Sequence, residues 1–284
     1  MRYAFIHEHE PMYNADHLCD VLEVSRSGYY AWLSREVSER KQRHAHLLPL
    51  IKEAFEQSRQ TYGYRRIHSS LKQEAGKHQI ARLMRAENIV PKTQKRFKVT
   101  THSKHSYPVH ANTLDRQFTA AEVNQRWASD ITYIPSQEGW LYLAVVMDLF
   151  SRKIVGWSLD SRMNEPLVTN ALKMALFRRK VTSGLLIHSD RGSQYASYFY
   201  QRMLKDHGIT CSMSRKGNCW DNAPMESFFR SLKVESIYGQ SFKTRDEAKG
   251  VIFDYIEVFY NRQRKHSGLN YLAPAEFERA AGIF

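Results

Sequence analysis

The chain has 284 residues, 42% of them hydrophobic and 12% aromatic, and its 42 Lys and Arg outnumber 29 Asp and Glu to leave a net charge of +13. That length and apolar content describe a globular chain of two or more units, and the charge calls for a polyanionic partner, most simply nucleic acid. An anionic membrane is the weaker alternative, because the longest apolar run, residues 141–147, is far too short to span a bilayer and is followed by Asp148.

The first residues include Glu8, Glu10 and Pro11 and are not expected to form a secretory signal. Cys19, Cys211 and Cys219 make neither a disulfide framework nor a CxxC pair, which points to a reducing cytoplasm. The histidines lack zinc-site spacing; His7, His9, His44 and His46 are expected on solvated surfaces.

In chain order, residues 14–34 predict two short helices with a tight joint. Asn14 and Ser25 are cap residues, and Leu18, Leu22, Val24, Tyr29 and Leu33 can form one small core. This is a helix-turn-helix pattern that would present Arg26 and Ser27 to a groove, although a generic helical hairpin fits the same residues. A charged linker is predicted over 35–43. Leu47, Leu48, Leu50, Ile51, Ala54 and Phe55 then outline a helix, and a further helical pair flanks Gly76.

Positive charge concentrates in that pair. Residues 59–104 hold twelve Lys or Arg against two acids, Glu74 and Glu87. Such a run can be a solvated face, but here Ile67, Leu71, Ile80, Leu83 and Met84 are interleaved with it, so a folded module facing phosphates is expected. Arg65, Arg66, Arg82 and Arg85 are its candidate DNA contacts, with Lys95, Arg96 and Lys98 in an extended basic linker over 92–106.

From residue 125 the pattern changes to short strands. Strands are predicted over 126–135, 139–148 and 153–159 as an antiparallel meander, then a helix over 166–177, a strand over 185–189, a helix over 196–207 and a strand over 209–214. This is an α/β (α+β) pattern, a mixed sheet with flanking helices. Residues 218–233 open another helix with Asn222 as N-cap and Pro224 in its first turn. Met225, Phe228, Phe229 and Leu232 make its apolar face, and Glu226, Arg230 and Lys233 its charged one. Read alone, that charged face is a surface ion pair. Ala248, Val251, Ile252, Tyr255, Ile256 and Phe259 give a long amphipathic helix, followed by a tail with Arg262, Arg264, Lys265 and His266.

Two aspartates sit where strand propensity disfavours them. Asp130 lies inside a run of β-formers, and Asp190 ends a strand at an Arg191-Gly192 turn, where an ordinary turn role is also open. Asp148 and Asp160 are rivals for which a capping role is sufficient. Clustered carboxylates repel by roughly 4 kcal/mol at about 4 Å, so bringing acids together needs protonation or a divalent cation. Hard oxygen donors select magnesium or manganese, and two ions about 4 Å apart suit phosphodiester chemistry. His188 shares a strand face with Asp190 and can approach such a site or simply pack.

The spacing and wording of these residues carry a resemblance. Asp190 and Glu226 are separated by 35 residues, and Asp130 and Asp190 by 59. That resembles the Asp, Asp, 35, Glu signature of the retroviral-integrase superfamily. The words Trp127-Ala-Ser-Asp-Ile-Thr-Tyr133, Val146-Met-Asp-Leu-Phe-Ser-Arg-Lys-Ile-Val-Gly-Trp157, His188-Ser-Asp-Arg-Gly-Ser-Gln-Tyr195, Asp221-Asn-Ala-Pro-Met-Glu-Ser-Phe-Phe229 and His266-Ser-Gly-Leu-Asn-Tyr-Leu-Ala-Pro274 resemble bacterial insertion-sequence transposases made by joining two overlapping reading frames. The chain is similar to the second frame's product along nearly its whole length.

The resemblance implies a ribonuclease-H-like core at 107–240, with Asp130, Asp190 and Glu226 as catalytic metal ligands for two magnesium ions, manganese being a substitute. It implies helix-turn-helix-like and basic helical DNA-binding regions at 1–43 and 44–106, and a C-terminal helix and basic tail at 241–284. Lys233 matches a basic position turned toward DNA, and Arg230, Arg215 and Lys216 are further candidates; residues 218–221 would form a mobile loop beside them. Expected partners are the element's terminal inverted repeats, target DNA, the first-frame protein and further copies of the chain, in a bacterial cytoplasm with the nucleoid and away from membranes. Zinc is not implied. A nuclease on the same fold and a non-catalytic DNA-binding regulator are the competing readings.

Overall fold

The computed structural model describes residues 1–72, 74–92, 108–181 and 184–283. Two compact units divide it, Met1–Glu53 and Ala54–Phe284. In the first, α1 (Arg2–His9), α2 (Ala15–Val21) and α3 (Arg26–Leu33) close around Ile6, Cys19 and Tyr29. The predicted caps form: Asn14 accepts from Asp16 N and Ser25 from Gly28 N. Arg26 is ion-paired to Asp20 and, at 3.7 Å, to Asp16. Helix α1 escaped the sequence reading because only Ile6 of its eight residues is buried, which leaves no periodic apolar signal.

The predicted linker at 35–43 is largely helical instead, since α4 runs from Glu39 to Gln57. Its Glu, Lys, Arg and Gln are strong helix formers, so charge there marks an exposed helix and not a break. The division between the units falls within α4.

In the second unit, α5 (Tyr64–Ser70) and α6 (Lys77–Ala86) flank Gly76 as expected, with Ile67, Ile80, Leu83 and Met84 buried. A five-stranded sheet follows, built from β1 (Arg126–Ser136), β2 (Gly139–Asp148), β3 (Ile154–Asp160), β4 (Leu186–Ser189) and β5 (Thr210–Met213) in the order β3-β2-β1-β4-β5. The β1-β2-β3 meander is antiparallel, whereas β4 and β5 add in parallel. Helices α7 (Glu165–Arg178) and α8 (Tyr198–Asp206) supply the crossovers.

Alternation along the strands builds two cores. Trp127, Val146, Val155 and Ile187 pack with α7 and α8 on one face. Ala128, Val145 and Met147 pack on the other with α9 (Ala223–Leu232) and α10 (Arg245–Phe253). Gly156 lets α7 lie against β3, because a Cβ there would stand 2.2 Å from Ala171 O. Both α9 and α10 run on into π-helical turns, Lys233–Ile237 and Asp254–Tyr260. The basic tail ends in an unforeseen helix, α11 (Pro274–Ala280), whose buried Glu278 pairs with Lys153 and Arg179 and accepts from Ser151 Oγ. Among the described residues no helix is long and apolar enough to cross a membrane.

Candidate active site

Strand β1 outruns its parallel neighbour. It pairs with β4 only through Ala128↔His188, so Asp130 on β1 and Asp190 after β4 each lie two residues beyond the last pair. Their level is the same and, by alternation, so is their face. Each carboxylate is steered by backbone: Ile131 N donates to Asp130 Oδ1 at 2.8 Å and Gly192 N to Asp190 Oδ1 at 2.9 Å. Between them and the α7–α8 face, Ser129 Oγ donates to Val145 O and meets Tyr195 Oη at 3.0 Å, fixing the strand beneath the pair.

The third acid arrives on α9. Met225, Phe228, Phe229 and Leu232 bury its apolar face, each aromatic ring contributing about 2 kcal/mol. Asn222 does not cap the helix through its side chain, contrary to expectation; its amide donates to Ser129 O at 3.3 Å and ties the helix start to β1 next to Asp130. Glu226 is then exposed in the first turn, where the helix dipole favours an anion.

The electrostatic conflict centres on Asp130. Burial pushes the Asp130 carboxyl well above its ordinary range, and the fields of Asp190 and then Glu226 push it further. Burial also raises Glu226. Lys233, at the start of the π-helical turn, is buried with Nζ 4.8 Å from the centre of the Tyr133 ring; burial lowers its pKa and the field of Asp130 opposes that.

A hard divalent cation fits that donor set, which is all carboxylate oxygen. The acids interact across the cleft without forming a finished cage: among the described residues no group of three His, Cys, Asp or Glu side chains is arranged to hold a metal ion. His188 does not join them. It is buried, with Nδ1 2.9 Å from Ser212 Oγ and Nε2 3.1 Å from Ser214 Oγ, and burial lowers its pKa to about 4, so it packs as a neutral ring. The rivals Asp148 and Asp160 are engaged by backbone amides, Asp148 accepting from Asn124 N and Phe150 N and Asp160 from Arg162 N.

The candidate DNA contacts separate into groups. Arg230 and Lys216 are exposed. Arg215 binds Asp221 through two nitrogens and reaches Asp115 at 3.4 Å. Residues 218–221 are therefore anchored rather than loose, because Asp221 is fully buried and also accepts from Arg116 and Asn112. Arg65, Arg82 and Arg85 are exposed, Arg65 lying over the Tyr64 ring, while Arg66 is half-buried over Tyr62. Lys95, Arg96 and Lys98 lie outside the described residues.

Sequence reasoning missed the Asp221 anchor and the Ser129–Tyr195 support. Ser129 and Tyr195 flank the two aspartates in the quoted words, and that adjacency was the available signal.

Comparison with known proteins places these observations. Integrase core domain models match residues 120–219 and 226–281, and an HTH-like domain model matches 41–97. The transposase InsF for insertion sequence IS3A of Escherichia coli is 43% identical over 283 residues, covering 98% of each chain. An uncharacterized 31 kDa protein of insertion element IS600 from Shigella sonnei is 46% identical over 263 residues, 92% of this chain and 97% of its own. Among solved structures, an intasome of simian T-cell lymphotropic virus is similar at a TM-score of 0.47 and 16% identity, over 76% of this chain and 74% of that one. The catalytic core domain of BIV integrase gives 0.43 and 19%, over 56% and 96%. On the sequence matches, the chain belongs to the IS3-family transposases and is built on an integrase core.

Proposed function

We propose that Asp130, Asp190 and Glu226 are the catalytic metal ligands of a transposase that cuts DNA at the ends of its element and joins the freed 3′-hydroxyls to new DNA. The observation that carries this reading is Asp130: a carboxylate built into a strand, desolvated, and facing two further acids from separate elements. Protonation or a divalent cation relieves that conflict, and the all-carboxylate donor set suits the cation. Two magnesium or manganese ions held by the three acids would supply activation of the attacking oxygen and neutralisation of the leaving one.

The chain's own groups do the rest. Backbone donors to Asp130 and Asp190 fix which carboxylate oxygens face the cleft. Lys233 offsets the acids and, with exposed Arg230 and Lys216, turns positive charge toward a phosphodiester. Arg65, Arg82 and Arg85 add sequence-independent phosphate contacts, as do Lys95, Arg96 and Lys98 of the basic linker. The proposed organisation is a helix-turn-helix-like region at 1–43, a basic helical region at 44–106, the catalytic core at 107–240 and a C-terminal helix and tail at 241–284. Holding two element ends at once favours several copies of the chain on DNA, together with the first-frame protein, in the cytoplasm.

The test is an end-cleavage and joining assay with magnesium, an element-end duplex, a target plasmid and the first-frame protein supplied. The chain is expected to release 3′-hydroxyls and join them, and Asp190→Asn to lose at least about 1000-fold, or roughly 4 kcal/mol of barrier. Full cleavage by Asp190→Asn would overturn the assignment. Cleavage without joining would favour a nuclease, and salt-sensitive binding without product a regulator.

A further inference from the structure

A cavity of about 400 Å³ lies on the flank of α9 that carries Ser227 and Ser231, away from the cleft. Three guanidiniums line it, Arg66, Arg152 and Arg264, drawn from α5, the β2–β3 turn and the C-terminal segment. Glu235 is the carboxylate whose field reaches Arg66 and Arg264, and it is already engaged: Arg264 grips both its oxygens at 2.7 Å and Tyr255 Oη donates to it. Arg264 also donates to Ser231 Oγ at 3.0 Å. His266 lies 3.4 Å from Arg264 Nη1, and burial with the neighbouring cations keeps its ring neutral, its pKa lowered to about 3.

Arg66 and Arg152 are left over. No carboxylate pairs with either among the described residues, and burial lowers both below the usual guanidinium range. Arg66 rests on the Tyr62 ring, and Arg152 donates to Phe118 O at 2.9 Å, one of its five donors. Two half-buried cations in surplus are costly unless an anion completes them.

We propose that this cavity is a second phosphate site, which seats a backbone phosphate of the DNA on Arg66 and Arg152 with Ser227 and Ser231 as hydroxyl donors. Guanidinium forks and hydroxyls suit a tetrahedral oxyanion, and Arg264 is held in place for it by Glu235. The volume exceeds that of a single anion, and the Phe228, Tyr260 and Leu269 walls accommodate an attached sugar. Residues 227 and 231 stand roughly 100–140° around α9 from Glu226, so one helix serves both the cleft and the pocket. The choice of DNA rests on the transposase reading; the anion chemistry does not.

The experiment measures full-chain binding to an element-end duplex against salt, beside thermal unfolding with inorganic phosphate. Arg152→Gln and Arg66→Gln are each expected to lower the log–log salt slope by about 0.9, one phosphate's worth, and the double variant by the same amount because they share that phosphate. Phosphate should raise the melting temperature of the wild type and not of the variants. Arg264 is left intact because its ion pair supports the fold. Slopes unchanged in folded variants overturn the proposal, including where phosphate still stabilises the wild type, which would mean that the cavity takes free phosphate. Magnesium-dependent cleavage by the wild type at saturating DNA separates the two readings: its failure tells against the catalytic reading and leaves the slope result standing.

Discussion

Asp221 and Asp130 are aspartates beside the start of α9, and their surroundings are opposite. Asp221 accepts from Arg215, Arg116 and Asn112, and the Arg215 guanidinium holds its carboxyl far below the usual range. Asp130 receives one backbone N–H; burial and then the repulsion of two acids, only partly offset by Lys233, push its carboxyl far above that range. A buried charge whose partners are complete is a fastening; one whose partners are missing is a request for a ligand. The Arg66–Arg152 pocket repeats the second case with the sign reversed.

Acid should break the contrast most strongly. His188 and His266 are neutral in the fold, with pKa values lowered to about 4 and about 3 from 6.5. The unfolded chain therefore takes up protons that the folded one refuses as pH falls below about 6.5. Stability is complete above that pH and is lost toward pH 4, by about 2 kcal/mol per ring at pH 5. Asp221, with its depressed pKa, adds a further loss only below the ordinary carboxylate range. Thermal unfolding across pH 4.5–7.5 checks this, and His188→Asn should flatten the profile.

Next in size is the fastening itself. Asp221→Ala should cost about 2 kcal/mol in chemical denaturation, less than a fully buried pair because its arginines are half exposed. The smallest effect has the opposite sign. Without metal, Asp130→Asn should stabilise the chain by about 1 kcal/mol, as relief of a functional conflict does. Adding magnesium should raise the melting temperature of the wild type and leave that of the variant unchanged.

Much of this was legible in sequence. The β-rich runs of β1 and β2 and the apolar stripe of α9 were readable as elements, and Asp130 stood out because a strand does not otherwise hold it. What depends on distance in sequence was not legible. Arg116 and Asn112 reach Asp221 across more than a hundred residues, and Arg66, Arg152 and Arg264 converge from three separate elements. Local pattern could not distinguish the anchored Asp221 from a residue of a mobile loop, nor the charged start of α4 from a linker, since each outcome is decided by partners or propensity rather than by hydrophobic periodicity.

The central claim is that Asp130, Asp190 and Glu226 hold divalent metal together, and manganese binding tests it most directly. Titration of the full chain at pH 7.5 should show saturable manganese binding. Asp130→Asn, Asp190→Asn and Glu226→Gln should each weaken it at least about tenfold, roughly 1.4 kcal/mol, whereas Asp148→Asn and Asp160→Asn should not. Wild-type affinity in any of the first three variants, or an equal loss in Asp148→Asn, would contradict the account.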